Sequence, residues 1–397
     1  MRPKIQGTAL DLATLCAQAG RGTEDGEPLV PAIVQSTTFA RDGLASTAQH
    51  CYSRVSNPTV AALEAALGEL EEAPPAVAFA TGLAAETALF QALLKAGDHV
   101  VASRALYGGT TRLLQQVLSR FGIAATFVDT RDLAALARAF RPATRLLFLE
   151  TPANPTLDVT DIAAASALAR ARGVKVAVDN TFLTAALQRP LELGADISVY
   201  STTKFLEGHS VALGGALVAR DEALLEELRF VRKCTGAIQS PFAAWLTLLG
   251  LKTLPLRLAR QSESAAELAQ RLAAHPDVVS VFYPSLLAPE LAARQHRGAH
   301  GAVLSFELEG GYERARAVLG HVRLCTLAEH VGSVETLLTH SASMTHAGVA
   351  PDERRAAGVS EGLLRLSVGL ERPADVLQDL ERAFARSAEE VAPCTSA

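Results

Sequence analysis

Aromatic side chains are scarce in this 397-residue chain: they fill 5% of positions, with a single tryptophan. Alanine and leucine dominate an apolar share of 49%, the composition of a helix-rich α/β protein with ample material for a core. Long apolar runs are missing too. No stretch approaches the ~20 apolar residues that cross a bilayer, and the positive residues of segment 1–20 are not followed by the apolar run of a signal peptide. Cysteine is sparse, odd in number and dispersed: Cys16, Cys51, Cys234, Cys325 and Cys394. No C-x-x-C pair occurs, so neither a disulfide framework nor a zinc site is expected, and a reducing cytoplasm is the natural setting. A formal net charge of −5 without a polybasic block argues against nucleic acid as a partner, and against a membrane surface. Small molecules, or further copies of the chain, remain.

The length suits one large domain and a smaller one. Residues 1–56 carry Gly, Thr and Pro clusters with weak periodicity and read as an extended arm with one short helix. Residues 59–70 are Ala/Leu/Glu-rich at helical spacing and stop at Pro74-Pro75. Short apolar runs at 77–80, 99–102, 146–149, 174–178 and 197–200 then alternate with helical stretches at 82–95, 110–121 and 162–172. This alternation predicts a mostly parallel sheet covered on both faces, in a domain spanning 57–250. A Leu-rich stretch at 242–274 predicts one or two bridging helices. Runs at 278–283, 302–309, 336–338 and 363–368, with an amphipathic helix at 375–385, predict a smaller α+β domain over 251–397.

Ligands of an open parallel sheet sit at the carboxyl ends of its strands. There the sequence places Thr81-Gly82, Glu150-Thr151-Pro152, Asp179-Asn180 and Ser201-Thr202-Thr203-Lys204. Gly82 opens a helix whose free N–H groups and dipole suit a phosphate, and the hydroxyls of Ser201 and Thr203 can add donors. Asp179 can keep a ring nitrogen protonated, Lys204 can form an imine and later move protons, and Tyr107, before two glycines, can stack on a ring. Each feature alone is ordinary: a solvated lysine, a turn aspartate, a helix-opening glycine. Their convergence on one edge calls for a cofactor with a phosphate and a titratable ring.

The wording of these segments resembles the Cys/Met-metabolism family of pyridoxal-phosphate enzymes. The resemblance rests on Tyr52-Ser53-Arg54 with Asn57-Pro58-Thr59, Ala80-Thr81-Gly82-Leu83-Ala84-Ala85, Tyr107-Gly108-Gly109-Thr110, and Glu150-Thr151-Pro152-Ala153-Asn154-Pro155. It continues through Val178-Asp179-Asn180-Thr181-Phe182, Ser201-Thr202-Thr203-Lys204, Met344-Thr345-His346-Ala347 and Leu364-Arg365-Leu366-Ser367-Val368-Gly369, and covers about residues 10 to 388. It implies the fold type I of pyridoxal-phosphate transferases (aspartate aminotransferase-like), with pyridoxal 5'-phosphate on Lys204 and Gly82 and Leu83 at its phosphate. It also implies that Tyr52 and Arg54 reach across a dimer interface to a neighbour's cofactor, that Arg365 grips the substrate carboxylate with Asn154 in support, and that Tyr107 stacks on the ring and assists proton transfer. The assembly it implies is a homotetramer, a dimer of dimers, acting on amino-acid substrates.

Within the family, Glu329 stands where cystathionine-handling members carry a glutamate, suited to the distal amino group of cysteine or cystathionine. The run 339–348 and Arg294-Gln295-His296 resemble bacterial cystathionine γ-synthases more than the lyases. The expected reaction is therefore γ-replacement of an O-acyl-homoserine by cysteine. Cystathionine γ-lyase comes second, then methionine γ-lyase and direct sulfhydrylation, and a non-catalytic cofactor-binding relative is the reading from another class. Three residues depart from the family wording: His330 replaces a serine, Val211 an aspartate, and Cys16 a frequent histidine. His330, His340 and His346 lack metal-ligand spacing, and no metal is expected.

Overall fold

The computed structural model describes residues 10–22 and 25–391. Residues 1–9, 23–24 and 392–397, including Cys394, lie outside the described residues.

The first sheet contains β1 (Val77–Phe79), β2 (His99–Ser103), β3 (Ala124–Val128), β4 (Thr144–Glu150), β5 (Lys175–Asp179), β6 (Ile197–Tyr200) and β7 (Gly215–Ala219), in the spatial order β1-β7-β6-β5-β4-β2-β3. The strands from β6 to β3 run parallel, whereas β7 is antiparallel to both of its neighbours. Alternation along a strand explains why these runs are apolar throughout. In β4, Leu146 and Phe148 join a core with helix Gly82–Leu93 and helix Glu222–Thr235, while Leu147 and Leu149 pack on the other face with helix Ile162–Arg170. Tyr200, Ala216 and Val218 bury against helices Pro58–Leu70 and Pro241–Leu251.

Helix starts follow their caps. Asn57, Thr81, Asp161, Asp221 and Ser240 each accept a hydrogen bond from the first turn of the helix they precede, and proline occupies a first-turn position after Asn57 and Ser240. The Leu-rich stretch resolves into two helices, Pro241–Leu251 and Leu254–Ala273, bent by 62°. No single helix among the described residues is long and apolar enough to cross a membrane. The helix expected over 110–121 divides into an α turn (Gly108–Arg112), a π turn (Leu113–Val117) and a 3-10 turn (Leu118–Phe121), closed by left-handed Gly122.

The second sheet has the order β10-β11-β12-β9-β8, from β8 (Val278–Phe282), β9 (Val303–Leu308), β10 (Thr326–Leu327), β11 (Leu337–His340) and β12 (Leu363–Ser367). Only the β10/β11 pair is parallel. Leu304, Phe306, Leu364 and Leu366 pack one face against helix Leu254–Ala273 and helix Pro373–Val391. Arg365 and Ser305, cross-strand partners, therefore face the other way, toward the first sheet's strand ends. The N-terminal region contributes helix Leu12–Ala17 and a bridge between Thr38 and Tyr52. Leu29, Val30, Ile33 and Leu44 of this region are exposed.

Candidate active site

One cavity lies at the carboxyl ends of β4, β5 and β6. Thr81, Gly82, Leu83, Tyr107, Glu150 and Asn154 line it together with Asp179, Ser201, Thr203, Lys204, Glu329 and Arg365. Thr81 caps the helix by accepting from Ala84 N–H at 3.0 Å, and its carbonyl accepts from Ala85 at 3.1 Å. Helix geometry leaves the N–H groups of Gly82 and Leu83 without an acceptor inside the helix. A Cβ at Gly82 would sit 2.9 Å from the Ser201 Cβ, so only glycine lets these two elements form a shared cradle. Gly109 does the same for Tyr107, whose ring carbon would lie 2.4 Å from a Cβ there. Tyr107 is further fixed by its N–H, which donates to Glu150 Oε2 at 2.7 Å.

The electrostatics are set by burial. Asp179, whose Oδ1 accepts from Thr181 N–H at 2.9 Å, has its pKa raised by desolvation. Burial and then the charge of Asp179 push Glu86 up to about 8, and the same two causes, in that order, hold Glu150 well above the carboxylate range. Lys204 is lowered to about 8, first by burial and then by the Arg365 guanidinium. Its Nζ lies 3.0 Å from His330 Nδ1. Arg365, buried in β12, donates from Nη1 to Asn154 Oδ1 at 2.8 Å and from Nη2 to Thr339 Oγ1 at 3.2 Å.

These residues fit pyridoxal phosphate. An amine near 8 is partly neutral at physiological pH and can attack a carbonyl. A protonated ring nitrogen beside Asp179 would offset the desolvation that raises its pKa. The Gly82 helix end and Ser201 can hold a phosphate. Thr203 has a prior engagement: its hydroxyl donates to Gly214 O at 3.1 Å and accepts from Gly214 N–H at 2.9 Å.

Sequence similarity agrees with the geometry. The profile of the Cys/Met metabolism PLP-dependent enzyme family matches residues 13–385. The chain belongs to that family. It is a pyridoxal-phosphate-dependent enzyme of the trans-sulfuration group, either a C–S bond-forming transferase or a C–S lyase. A cystathionine gamma-synthase of Mycobacterium tuberculosis is 46% identical over 89% of this chain and 91% of its own. A cystathionine gamma-lyase of Bacillus subtilis is 42% identical over 89% of this chain and 93% of its own. Cystathionine gamma synthase from Xanthomonas oryzae pv. oryzae, solved in complex with cystathionine, superposes with a TM-score of 0.94 at 41% identity, covering 97% of this chain and all of that one. Relatives with opposite reactions thus lie at similar distance from this family member.

The resemblance implies Tyr52 and Arg54 at a neighbouring subunit's cofactor rather than in this cavity. Tyr52 and Arg54 are absent from the cavity wall. Arg54 donates to Lys233 O at 2.6 Å and lies over the Tyr52 ring at 5.3 Å. His340 bonds Ser343 and Glu361, and His346 bonds Thr345 and Leu106, so both are held by their own surroundings. Among the described residues no group of three His, Cys, Asp or Glu side chains is placed to hold a metal ion. Cys16 is buried and its thiol is pushed up to about 12. Val211 is exposed, with its N–H donating to Glu207 Oε2 at 3.2 Å. Sequence reading missed Glu86 as a wall residue, although a lone carboxylate in the apolar stretch 83–94 was the available signal.

Proposed function

We propose that this enzyme performs γ-replacement, joining an O-acyl-homoserine to cysteine to make cystathionine. The observation that carries the reading is the pairing of Arg365 and Glu329 in one cavity with Lys204. A fixed guanidinium suits an α-carboxylate, and a carboxylate across the same cavity suits a second, distal ammonium group. Bound pyridoxal phosphate supplies an electron sink, which makes the α- and β-hydrogens acidic enough for a γ-substituent to leave. Within that chemistry, Arg365 with Asn154 orients the carboxylate, and Lys204 as a free amine takes and returns the α-proton. Asp179 would hold the ring nitrogen's proton, Gly82, Leu83 and Ser201 would hold the phosphate, and Tyr107 would cover the ring, while Thr203, its hydroxyl proton given to Gly214 O, braces the strand end beside them. Val331 and Phe182 restrict water at the cavity wall.

We further assign residues 57–250 to the cofactor domain, 251–397 to the second domain and 1–56 to an arm serving a neighbouring subunit in a cytoplasmic dimer of dimers. The exposed apolar residues of that arm, with Val211, Leu213 and Phe242, support packing between copies. Tyr52 and Arg54, away from their own cavity, are suited to the neighbour's.

γ-Elimination is the second reading, favoured by the similar distance of the Bacillus relative. Purified protein with O-acetyl- or O-succinylhomoserine, with and without cysteine, and with cystathionine alone, separates the two by mass spectrometry. Cystathionine formed only when both partners are present supports replacement. Breakdown of cystathionine alone to cysteine, ammonia and 2-oxobutanoate supports the lyase.

A further inference from the structure

We propose that His330 is a positioning residue for the cofactor lysine, its Nδ1 accepting a hydrogen bond from Lys204 Nζ so that the released amine keeps its lone pair turned to the substrate. The inference deepens the reading above: it rests on Lys204 as the cofactor lysine, and not on which γ-reaction follows.

The geometry begins with the backbone. Gly332 has a φ of 84°, and a Cβ there would meet Phe205 N at 2.5 Å and Lys204 C at 2.9 Å. The 330–332 segment is therefore pressed onto the peptide that carries Lys204. Gly332 N–H donates to Ser367 Oγ at 2.9 Å, and the His330 carbonyl accepts from Arg365 Nη2 at 3.3 Å, so β12 holds the segment in place. On this support the imidazole reaches Lys204 Nζ at 3.0 Å.

Its chemistry follows from its other nitrogen. His330 Nε2 is buried with no hydrogen-bond partner among the described residues. Burial, Lys204 and Arg365, in that order, lower the ring's pKa to about 4, so it is neutral in the working range. With Lys204 as donor the neutral ring carries its proton on Nε2, which makes Nδ1 an acceptor and nothing else. A serine hydroxyl, the residue the family more often shows here, can donate as well as accept and could engage the amine's lone pair. Imidazole cannot. It spends one N–H of the amine and leaves the lone pair free. The titratable and charged groups that line the cavity with Lys204 are Arg365, Asp179, Glu150, Glu86 and Glu329, and the charge that acts on its amine is that of Arg365.

The test compares His330→Leu, which removes the acceptor, with His330→Asn, whose Oδ1 falls near the Nδ1 position. The full-length chain is freed of cofactor, and the rate of pyridoxal phosphate incorporation is followed by visible absorbance across pH. The midpoint of that profile reports the Lys204 amine. Losing an acceptor that favours the ammonium lowers the midpoint in the leucine variant by about half a unit to one unit. Its kcat falls about tenfold or more with KM nearly unchanged, as expected when the base is misaligned but substrate contacts remain. The asparagine variant keeps both quantities near wild type. If the leucine protein does not fold, His330→Gln, whose amide reaches the Nε2 position instead, replaces it with the same expectation. A leucine or glutamine variant with unchanged midpoint and kcat overturns the proposal, as does an asparagine variant as impaired as leucine. Because incorporation needs no substrate, a protein that fails to make cystathionine yet shows the shift would sink the γ-replacement reading and leave this one standing.

Discussion

Replacing Arg365 by lysine should weaken amino-acid substrates far more than it weakens the cofactor. The guanidinium is anchored by Asn154 at 2.8 Å and Thr339 at 3.2 Å, and its planar fork can give a carboxylate two parallel hydrogen bonds. An ammonium at the end of a flexible stem keeps the charge but supplies one such bond, and leaves Asn154 Oδ1 without its donor. Losing one charge-assisted hydrogen bond costs about 1.5–3 kcal/mol, which at about 1.4 kcal/mol per tenfold is a rise of roughly 10- to 150-fold in KM. Steady-state kinetics on the variant would measure it, beside the affinity for pyridoxal phosphate, which should change little. The control is a competitive inhibitor lacking the α-carboxylate, whose Ki should be nearly equal in the two proteins. A KM within about threefold of wild type, or an equal loss for the carboxylate-free inhibitor, would refute the assigned role.

Other outcomes follow from the same site. Lys204→Ala should abolish turnover, and wild-type rates in that variant would remove the mechanism. Glu329→Gln should raise KM for cysteine while sparing hydrosulfide as the acceptor, because only cysteine carries the ammonium that the carboxylate would pair; equal effects on both would count against it. Glu86 gives a stability prediction for the cofactor-free protein. Its folded pKa, about 8, lies above the unfolded value of 4.5, so the folded state binds the extra proton. Stability is then fully present below about pH 4.5 and is lost as pH rises toward 8, at about 1.4 kcal/mol per unit. Glu86→Gln should flatten that decline in melting temperature, and an unchanged slope would show that the group is not buried protonated.

The sequence made the central strands legible because their residues are apolar on both faces, as in 146–149 and 174–178. It was silent on β3 at the sheet edge, whose residues from Ala124 to Phe127 are exposed or half-buried and carry no strong pattern. The short β7, begun by a glycine and antiparallel within a parallel sheet, also escaped, since only tertiary pairing defines its direction. Lys204, Asp179 and Gly82 could be read because Asp179 ends a strand and the other two lie within four residues of a strand's carboxyl end. Arg365 could be read only from its motif wording, because its function comes from cross-strand facing and from Asn154, 211 positions away. His330 was visible as a departure from the family, but its contact with Lys204 spans 126 positions and belongs to the fold alone.

The most direct measurement is borohydride reduction of the protein loaded with pyridoxal phosphate, followed by proteolysis and mass spectrometry of the labelled peptide. The account predicts a single reduced adduct on Lys204, lost together with the visible absorbance in Lys204→Ala. An adduct on another lysine, or a protein that takes up no cofactor at all, would contradict it.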